Sequence, residues 1–314
     1  MNIELTKNNH MIVGYNGVAW ARRRSLYDKF FIDYGKVTKV PESFRSASIE
    51  AAKEISVFCK KIKKRPLVLY SGGIDSEFIV AAFLASGEDF SVAHIEYLPD
   101  LNAHESKYVT SFSKRYNLDL KLFQVDVAYF LKDDQTLIEA VKDNAHIIEC
   151  QLLTSITPKI KDQYYPISDH PGVMLHRENT NLSSPSQWYW KDYEHLTAYY
   201  FHCLNNSIHA CPSFYHWSPE IILAFLLDPT IRNLVEGKNY GKITNRTTMP
   251  SLYQETFPEY EMPSRPKFNG FEYFSKNNTR EITRKLNQKT YYDRHSGQRY
   301  EYNELLKRLG YHGN

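Results

Sequence analysis

At 314 residues the chain has room for one large or two medium domains with a full core, and 42% hydrophobic against 24% charged residues excludes the composition of a disordered chain. Its 39 Lys and Arg against 36 Asp and Glu leave +3, too near balance to argue for a nucleic-acid or membrane partner, so any basic surface has to be local. Purely apolar runs such as Ile221 to Leu227 and Phe78 to Ala85 fall far short of the roughly 20 residues of a membrane span, which excludes a spanning helix.

Four cysteines (Cys59, Cys150, Cys203, Cys211), none in a Cys-x-x-Cys pair, make neither a disulfide scaffold nor a zinc ribbon, so reduced thiols are expected. The start, Met1-Asn2-Ile3-Glu4, is polar and lacks the basic-then-apolar stretch of a secretory signal. A cytoplasmic protein is expected.

Residues 1 to about 45 mix aromatic and polar residues, with Gly14, Gly17 and Gly35 spaced as turns, and predict a short β-rich lead-in. From Ser48, the apolar positions Ile49, Ala52, Ile55, Val57, Phe58 and Ile62 among lysines predict an amphipathic helix that stops at Lys-Lys-Arg-Pro. Pro66 disfavours helix at Arg65, and Leu67-Val68-Leu69-Tyr70 has no alternation, as expected of a strand covered on both faces. After Ser71 to Ser76 the run Glu77 to Ala85 is apolar nearly all round, which predicts a buried helix stopped by Gly87.

Phe90 to Tyr97 then reads as a strand, Glu105 to Tyr116 as a helix and Leu118 to Val127 as a further strand. Strand starts near 67, 91 and 119 have the separation of a strand, loop and helix returning to a parallel neighbour. Thr136 to Ile156 predicts one helix, Tyr164 to Ile167 a fourth strand, and Ser218 to Leu227 a helix with Ser218 at its cap and Pro219 at its first position. From about 236 the order weakens. Residues 276 to 314 carry nine Lys or Arg against four acids, which makes this tail +5 and the remainder −2.

The chemistry lies in Ser71-Gly72-Gly73-Ile74-Asp75-Ser76, between the buried strand and the apolar helix. Two glycines let the backbone turn sharply and bring N–H groups against an anion; two serines add hydroxyls, and the following helix aims its positive end at the same spot. Asp75 would repel a bare anion, but it suits a phosphate accompanied by Mg²⁺. The other common phosphate loop is not present: at Gly241-Lys242, Glu236 stands where its first glycine should be and Ile243 where its hydroxyl should be.

In this strand-loop-helix setting, Ser-Gly-Gly-x-Asp-Ser resembles the signature loop of the PP-loop (N-type) ATP pyrophosphatases, which split ATP between its α and β phosphates. The preceding helix resembles the entry to the synthetase domain of asparagine synthetase; Ser218-Pro219-Glu220, Lys242 and Arg265-Pro266-Lys267 resemble later landmarks of that domain. The resemblance spans roughly residues 48 to 270 and is strong around the loop. It implies an α/β, Rossmann-like fold of the adenine nucleotide alpha hydrolase (HUP) type, a parallel sheet with helices on both faces, plus a helical C-terminal region. It divides the chain into a β-rich N-terminal extension (1–47), the PP-loop domain (48–235) and a basic C-terminal extension completing the site (236–314).

By the same resemblance Ser71, Gly72, Gly73, Ile74, Asp75 and Ser76 bind ATP, and Lys242, Lys267 and Arg265 are the catalytic cations around the pyrophosphate. Asp75 and Asp169 hold Mg²⁺. The family's acidic Gly-x-Gly-x-Asp-Glu loop is reduced here to Ile167-Ser168-Asp169-His170-Pro171-Gly172, so Asp169 is either a second metal ligand or a simple turn residue. The implied reaction is two-step: a substrate oxygen attacks the α-phosphorus to give an adenylate and pyrophosphate, and an amine or ammonia then displaces AMP. Glutamine-using relatives carry an N-terminal cysteine nucleophile on a separate domain. Here the first cysteine is Cys59, with 70 residues before the loop, so the nitrogen is expected from free ammonia, an amine substrate or a partner.

His195, His202, His209 and His216 recur every seven residues, but structural zinc usually shows more closely paired ligands and Pro212 interrupts any single helix aligning them. The aromatic belt Trp188-Tyr189-Trp190, Tyr193, Tyr199, Tyr200 and Phe201 is either packing or a wall that stacks a base. With the basic tail it keeps a nucleic-acid substrate open, beside a small-molecule acceptor and a homo-oligomer. Three readings stand: an AMP-forming, carbon–nitrogen bond-forming ligase, a nucleic-acid-modifying enzyme on the same engine, and a nucleotide-binding module without catalysis.

Overall fold

A computed structural model describes residues 11–145, 150–169, 175–177, 188–192, 194, 197–236, 245–263, 280–290 and 297–313. The lead-in is an antiparallel sheet of β1 (Ile12–Tyr15), β2 (Val18–Ala19) and β3 (Phe30–Asp33), in the order β2-β1-β3. Gly14, expected at a turn, lies instead inside β1, because the hairpin folds back so closely that a β-carbon there would sit 2.1 Å from the Val18 carbonyl oxygen.

Helix α1 (Phe44–Lys61) starts before the predicted Ser48, where Ser43 and Ser46 cap each other's backbone N–H groups. It leads into β4 (Arg65–Leu69), α2 (Ile74–Ser86), β5 (Ser91–Leu98), α3 (Ala103–Arg115) and β6 (Leu120–Asp126). The predicted single helix over 136–156 is broken. The structure has α4 (Val127–Lys132), α5 (Asp134–Lys142) and, after a stop at Asp143 and the left-handed Asn144 (φ 57°), α6 (Cys150–Ile160). Strand β7 (Tyr164–Ile167) follows as predicted.

Strands β4 to β7 form one parallel sheet in the order β6-β5-β4-β7, with Val68 opposite both Val92 and Ile167. Side chains alternate across it. Val68 and Val92 enter a core with α1, α2 and α3 (Ala51, Ile55, Phe78, Val109, Phe112), while Leu67, Leu69, Ala93 and Ile95 enter a second core with Ile156 and Ile160 of α6. Both faces are therefore covered by helices, which is why the β4 sequence shows no polar alternation. The fold is α/β and Rossmann-like.

The chain continues through β8 (Leu175–Arg177), β9 (Trp188–Lys191), α7 (Thr197–Asn205), α8 (Pro219–Leu227), α9 (Pro229–Val235), α10 (Asn245–Thr256), α11 (Arg280–Thr290), β10 (Arg299–Glu301) and α12 (Tyr302–Arg308). Beyond residue 236 the described residues form three helices and a strand, in keeping with the helical C-terminal region the resemblance implies, although local signals there are weak. The strand comes from tertiary pairing: β10 joins β9 and β8 in an antiparallel sheet, with Tyr300 opposite Trp190. Ser218 stands at the N-terminus of α8 as predicted, with Pro219 at the first turn, but its side chain makes no cap hydrogen bond. Among the described residues no helix is long and apolar enough to cross a membrane.

Two buried polar knots tie the lead-in to the rest. Asp192 accepts from the Ile32 N–H (3.0 Å), the Tyr34 hydroxyl (2.6 Å) and the Tyr300 hydroxyl (3.2 Å). Arg23 pairs with Glu194 at 2.7 Å, both side chains being excluded from solvent.

Candidate nucleotide site

In the sheet order β6-β5-β4-β7 the chain winds outward from β4 to β6 on one side and places β7 on the other. The crevice at the C-terminal ends of β4 and β7 is thus the topological switch point, where open α/β sheets take their ligands. The bend Ser71 to Ser76 leaves β4 there, and Asp169 follows β7.

The bend is braced internally. The Ser76 hydroxyl accepts from the Ser71 N–H (3.2 Å), lies 2.9 Å from the Ser71 hydroxyl and donates to the Gly73 carbonyl (3.0 Å). The Gly73 N–H in turn donates to Ser71 Oγ at 3.2 Å. Ser76 is buried and holds the bend's shape, while Ser71 is exposed and Gly73, Ile74 and Asp75 are partly so. Helix α2 begins at Ile74, earlier than the predicted Glu77, so Ile74, Asp75 and Ser76 form its first turn. The first amides of a helix have no intrahelical acceptor, and here they combine with the positive end of the dipole at the switch point.

Asp75 is held at two points: its Oδ1 accepts from the Tyr253 hydroxyl, and its main-chain carbonyl from the Tyr215 hydroxyl, each at 2.8 Å. The two phenol rings stack with centroids 6.2 Å apart, and Phe78 of α2 lies 4.4 Å from Tyr253. Burial, then the Asp75 charge, pushes both phenols well above their ordinary pKa, which keeps them protonated as donors.

Asp169 is fixed by a strand-like bridge to Ser213, with Ser168 N–H bonding the Cys211 carbonyl (2.9 Å) and Phe214 N–H the Ser168 carbonyl (2.9 Å). Its carboxyl is pushed up to about 7, first by burial and then by the negative charge of Asp75. The two carboxylates named from the sequence therefore meet electrostatically across the switch point, although 94 positions separate them.

Behind the bend, the His94 ring spans the Tyr70 carbonyl and Ser106 Oγ, each at 2.9 Å. A carbonyl can only accept, so Nδ1 carries the proton. Burial lowers the pKa of His94, which keeps the ring neutral as a link between β4, β5 and α3. Tyr70 donates to Glu77 within the same buried layer. A cleft of about 360 Å³ opens beside this layer, between α3 (Ser106, Lys107) and the strand ends at Glu96 and Gln124; none of the bend's own residues lines it.

Among the sequence-derived residues, the structure brings Ser71 to Ser76 and Asp169 together; Lys242, Arg265 and Lys267 lie outside the described residues. Sequence reasoning missed Tyr215, Tyr253 and His94. Tyr215 and Tyr253 are two of 24 tyrosines, and no local pattern sets them apart. His202 bonds Asp143 (2.8 Å) and His216 bonds Ser213 (2.9 Å), while His195 lies outside the described residues. Among the described residues no group of three or more His, Cys, Asp or Glu gathers as a metal site. A two-carboxylate site still fits Mg²⁺, which prefers oxygen ligands and usually keeps waters and substrate phosphates among its six.

No protein-family model matches the chain, and no curated protein matches it. Among solved structures, NMN synthetase from Francisella tularensis aligns over 72% of this chain and 99% of its own, at 14% identity and a TM-score of 0.31. A likeness that low carries no argument about function.

Proposed function

We propose that the chain is an ATP pyrophosphatase-type synthetase that adenylates a substrate oxygen, releasing pyrophosphate, for attack by an amine or ammonia, as in the asparagine synthetase-like ligases. The observation that supports it most is the pairing at one switch point of a braced Gly-Gly bend, opening a helix, with the coupled carboxylates Asp75 and Asp169.

In this reading the first amides of α2 and the exposed Ser71 receive the phosphates, and the braced bend holds them without rearrangement. Asp75 and Asp169 would hold the Mg²⁺ that relieves their mutual repulsion. When bound, the ion supplies positive charge to the leaving pyrophosphate. Lys242, Arg265 and Lys267 are proposed as the further cations at that group, so Lys267→Ala should reduce turnover by about 10² to 10³-fold, the scale of one lost transition-state donor.

The second reading, a nucleic-acid substrate on the same engine, draws on α11, which exposes Arg284, Lys285 and Lys289 while burying Leu286. The deciding experiment is a screen of amino acids, other carboxylates, ammonia and nucleic acids for stimulated pyrophosphate release from ATP with Mg²⁺. Stimulation by a small acceptor supports the first reading and stimulation by RNA or DNA alone the second. Nucleotide binding with no release under any condition leaves only a binding module.

A further inference from the structure

Tyr253 and Tyr215 converge on Asp75 from segments 178 and 140 residues away. Neither hydroxyl is needed to fill the core, since phenylalanine would bury the same ring. A buried phenol retains its hydroxyl at a cost unless that group finds a partner, and here the two hydroxyls bond each other and both also find an acceptor on one residue of the bend. The grip is stiff: Tyr253 packs on Phe78 at 4.4 Å, stacks on Tyr215 at an interplanar angle of 14°, and is fully buried in α10.

We infer that Tyr253 is a positioning residue for Asp75: its hydroxyl fixes Oδ1, and so the plane of the carboxylate, leaving the group oriented toward the cation that accompanies the nucleotide. The inference rests on the ATP and Mg²⁺ reading above. A carboxylate has about four lone-pair sites, and the bond from Tyr253, a neutral donor, takes up one of them while fixing the orientation of the group. Tyr215 fixes the main chain of the same residue, which sets the position of the carboxylate while Tyr253 sets its rotation. The consequence is that α10, from the C-terminal part of the chain, completes the site built at the end of β4.

The test uses the full chain and Tyr253→Phe, with free Mn²⁺ measured by electron paramagnetic resonance in the presence of α,β-methylene-ATP. Metal-free affinity for the analogue and the thermal midpoint are measured alongside. The expected result is Mn²⁺ affinity about 10-fold weaker in Tyr253→Phe, with metal-free analogue affinity unchanged. Mn²⁺ affinity within about twofold of wild type overturns the inference, whatever happens to the midpoint, because a purely structural role would move only the midpoint. A wild type that binds neither analogue nor metal contradicts the nucleotide reading itself, a distinct outcome. Should Tyr253→Phe not fold, the otherwise wild-type chain carrying 3-fluorotyrosine at position 253 is read by ¹⁹F resonance. A shift on adding Mg²⁺ to the analogue complex supports the inference, and an unmoved resonance overturns it.

Discussion

Gly72 lies against the backbone of Glu105: at φ 90°, a β-carbon on Gly72 would stop 3.1 Å from both the Glu105 carbonyl oxygen and its Cβ. The start of α3 therefore crowds the bend, so a side chain at this position would need Glu105 to give by a few tenths of an ångström as well as bearing the strain of a positive φ.

Gly72→Ala combines a left-handed backbone with that tight contact, and should lower stability by about 1 to 3 kcal/mol. Because the bend must shift to relieve it, ATP affinity should fall at least about 10-fold. Urea unfolding and calorimetry check the two effects; an alanine variant equal to wild type in both would show that the bend has space it is not seen to have.

The coupling of Asp75 and Asp169 is open to direct titration. The Asp169 carboxyl is raised to about 7 by burial and, next, by the Asp75 charge. Asp75→Asn removes the second cause and leaves the first, so the Asp169 pKa should fall without reaching its ordinary 3.8. Carboxyl ¹³C NMR of both proteins measures this, and an unchanged Asp169 would show that the two groups do not sense each other.

Asp192 predicts a pH dependence of stability remote from the site. Burial raises its carboxyl from 3.8 to about 7, against the opposing hydrogen bonds from Tyr34, Ile32 and Tyr300. Its native form therefore holds a proton more tightly than the unfolded chain. This contribution is fully present below pH 3.8, is lost as pH rises through about 7, and is level above. The thermal midpoint of wild type should fall between pH 5 and pH 7.5 by more than that of Asp192→Asn; parallel profiles would refute the assignment.

The central sheet was legible in the sequence because its signals are local. Pro66 and the unalternating Leu67 to Tyr70 mark a doubly covered strand, and the spacing to Phe90 and Leu118 marks parallel crossovers. Asp75 was legible for the same reason, since a carboxylate between two glycines and a serine is odd in a bare anion site. Tyr253 and Tyr215 were not, because their role is a contact across 178 and 140 residues and a tyrosine that grips Asp75 looks like any other core aromatic. The break at Asn144 was missed because helical periodicity continues on both sides of it, and β10 because a three-residue strand acquires its structure from pairing with β9.

The proposed activity requires the bend at the end of β4 to bind a nucleoside triphosphate. Its most direct test is calorimetric titration of the full chain with α,β-methylene-ATP and Mg²⁺. The expected result is saturable one-to-one binding that is weakened by Gly72→Ala and loses its Mg²⁺ dependence in Asp75→Asn. Absence of binding by the folded wild-type chain, or binding indifferent to both substitutions, would contradict it.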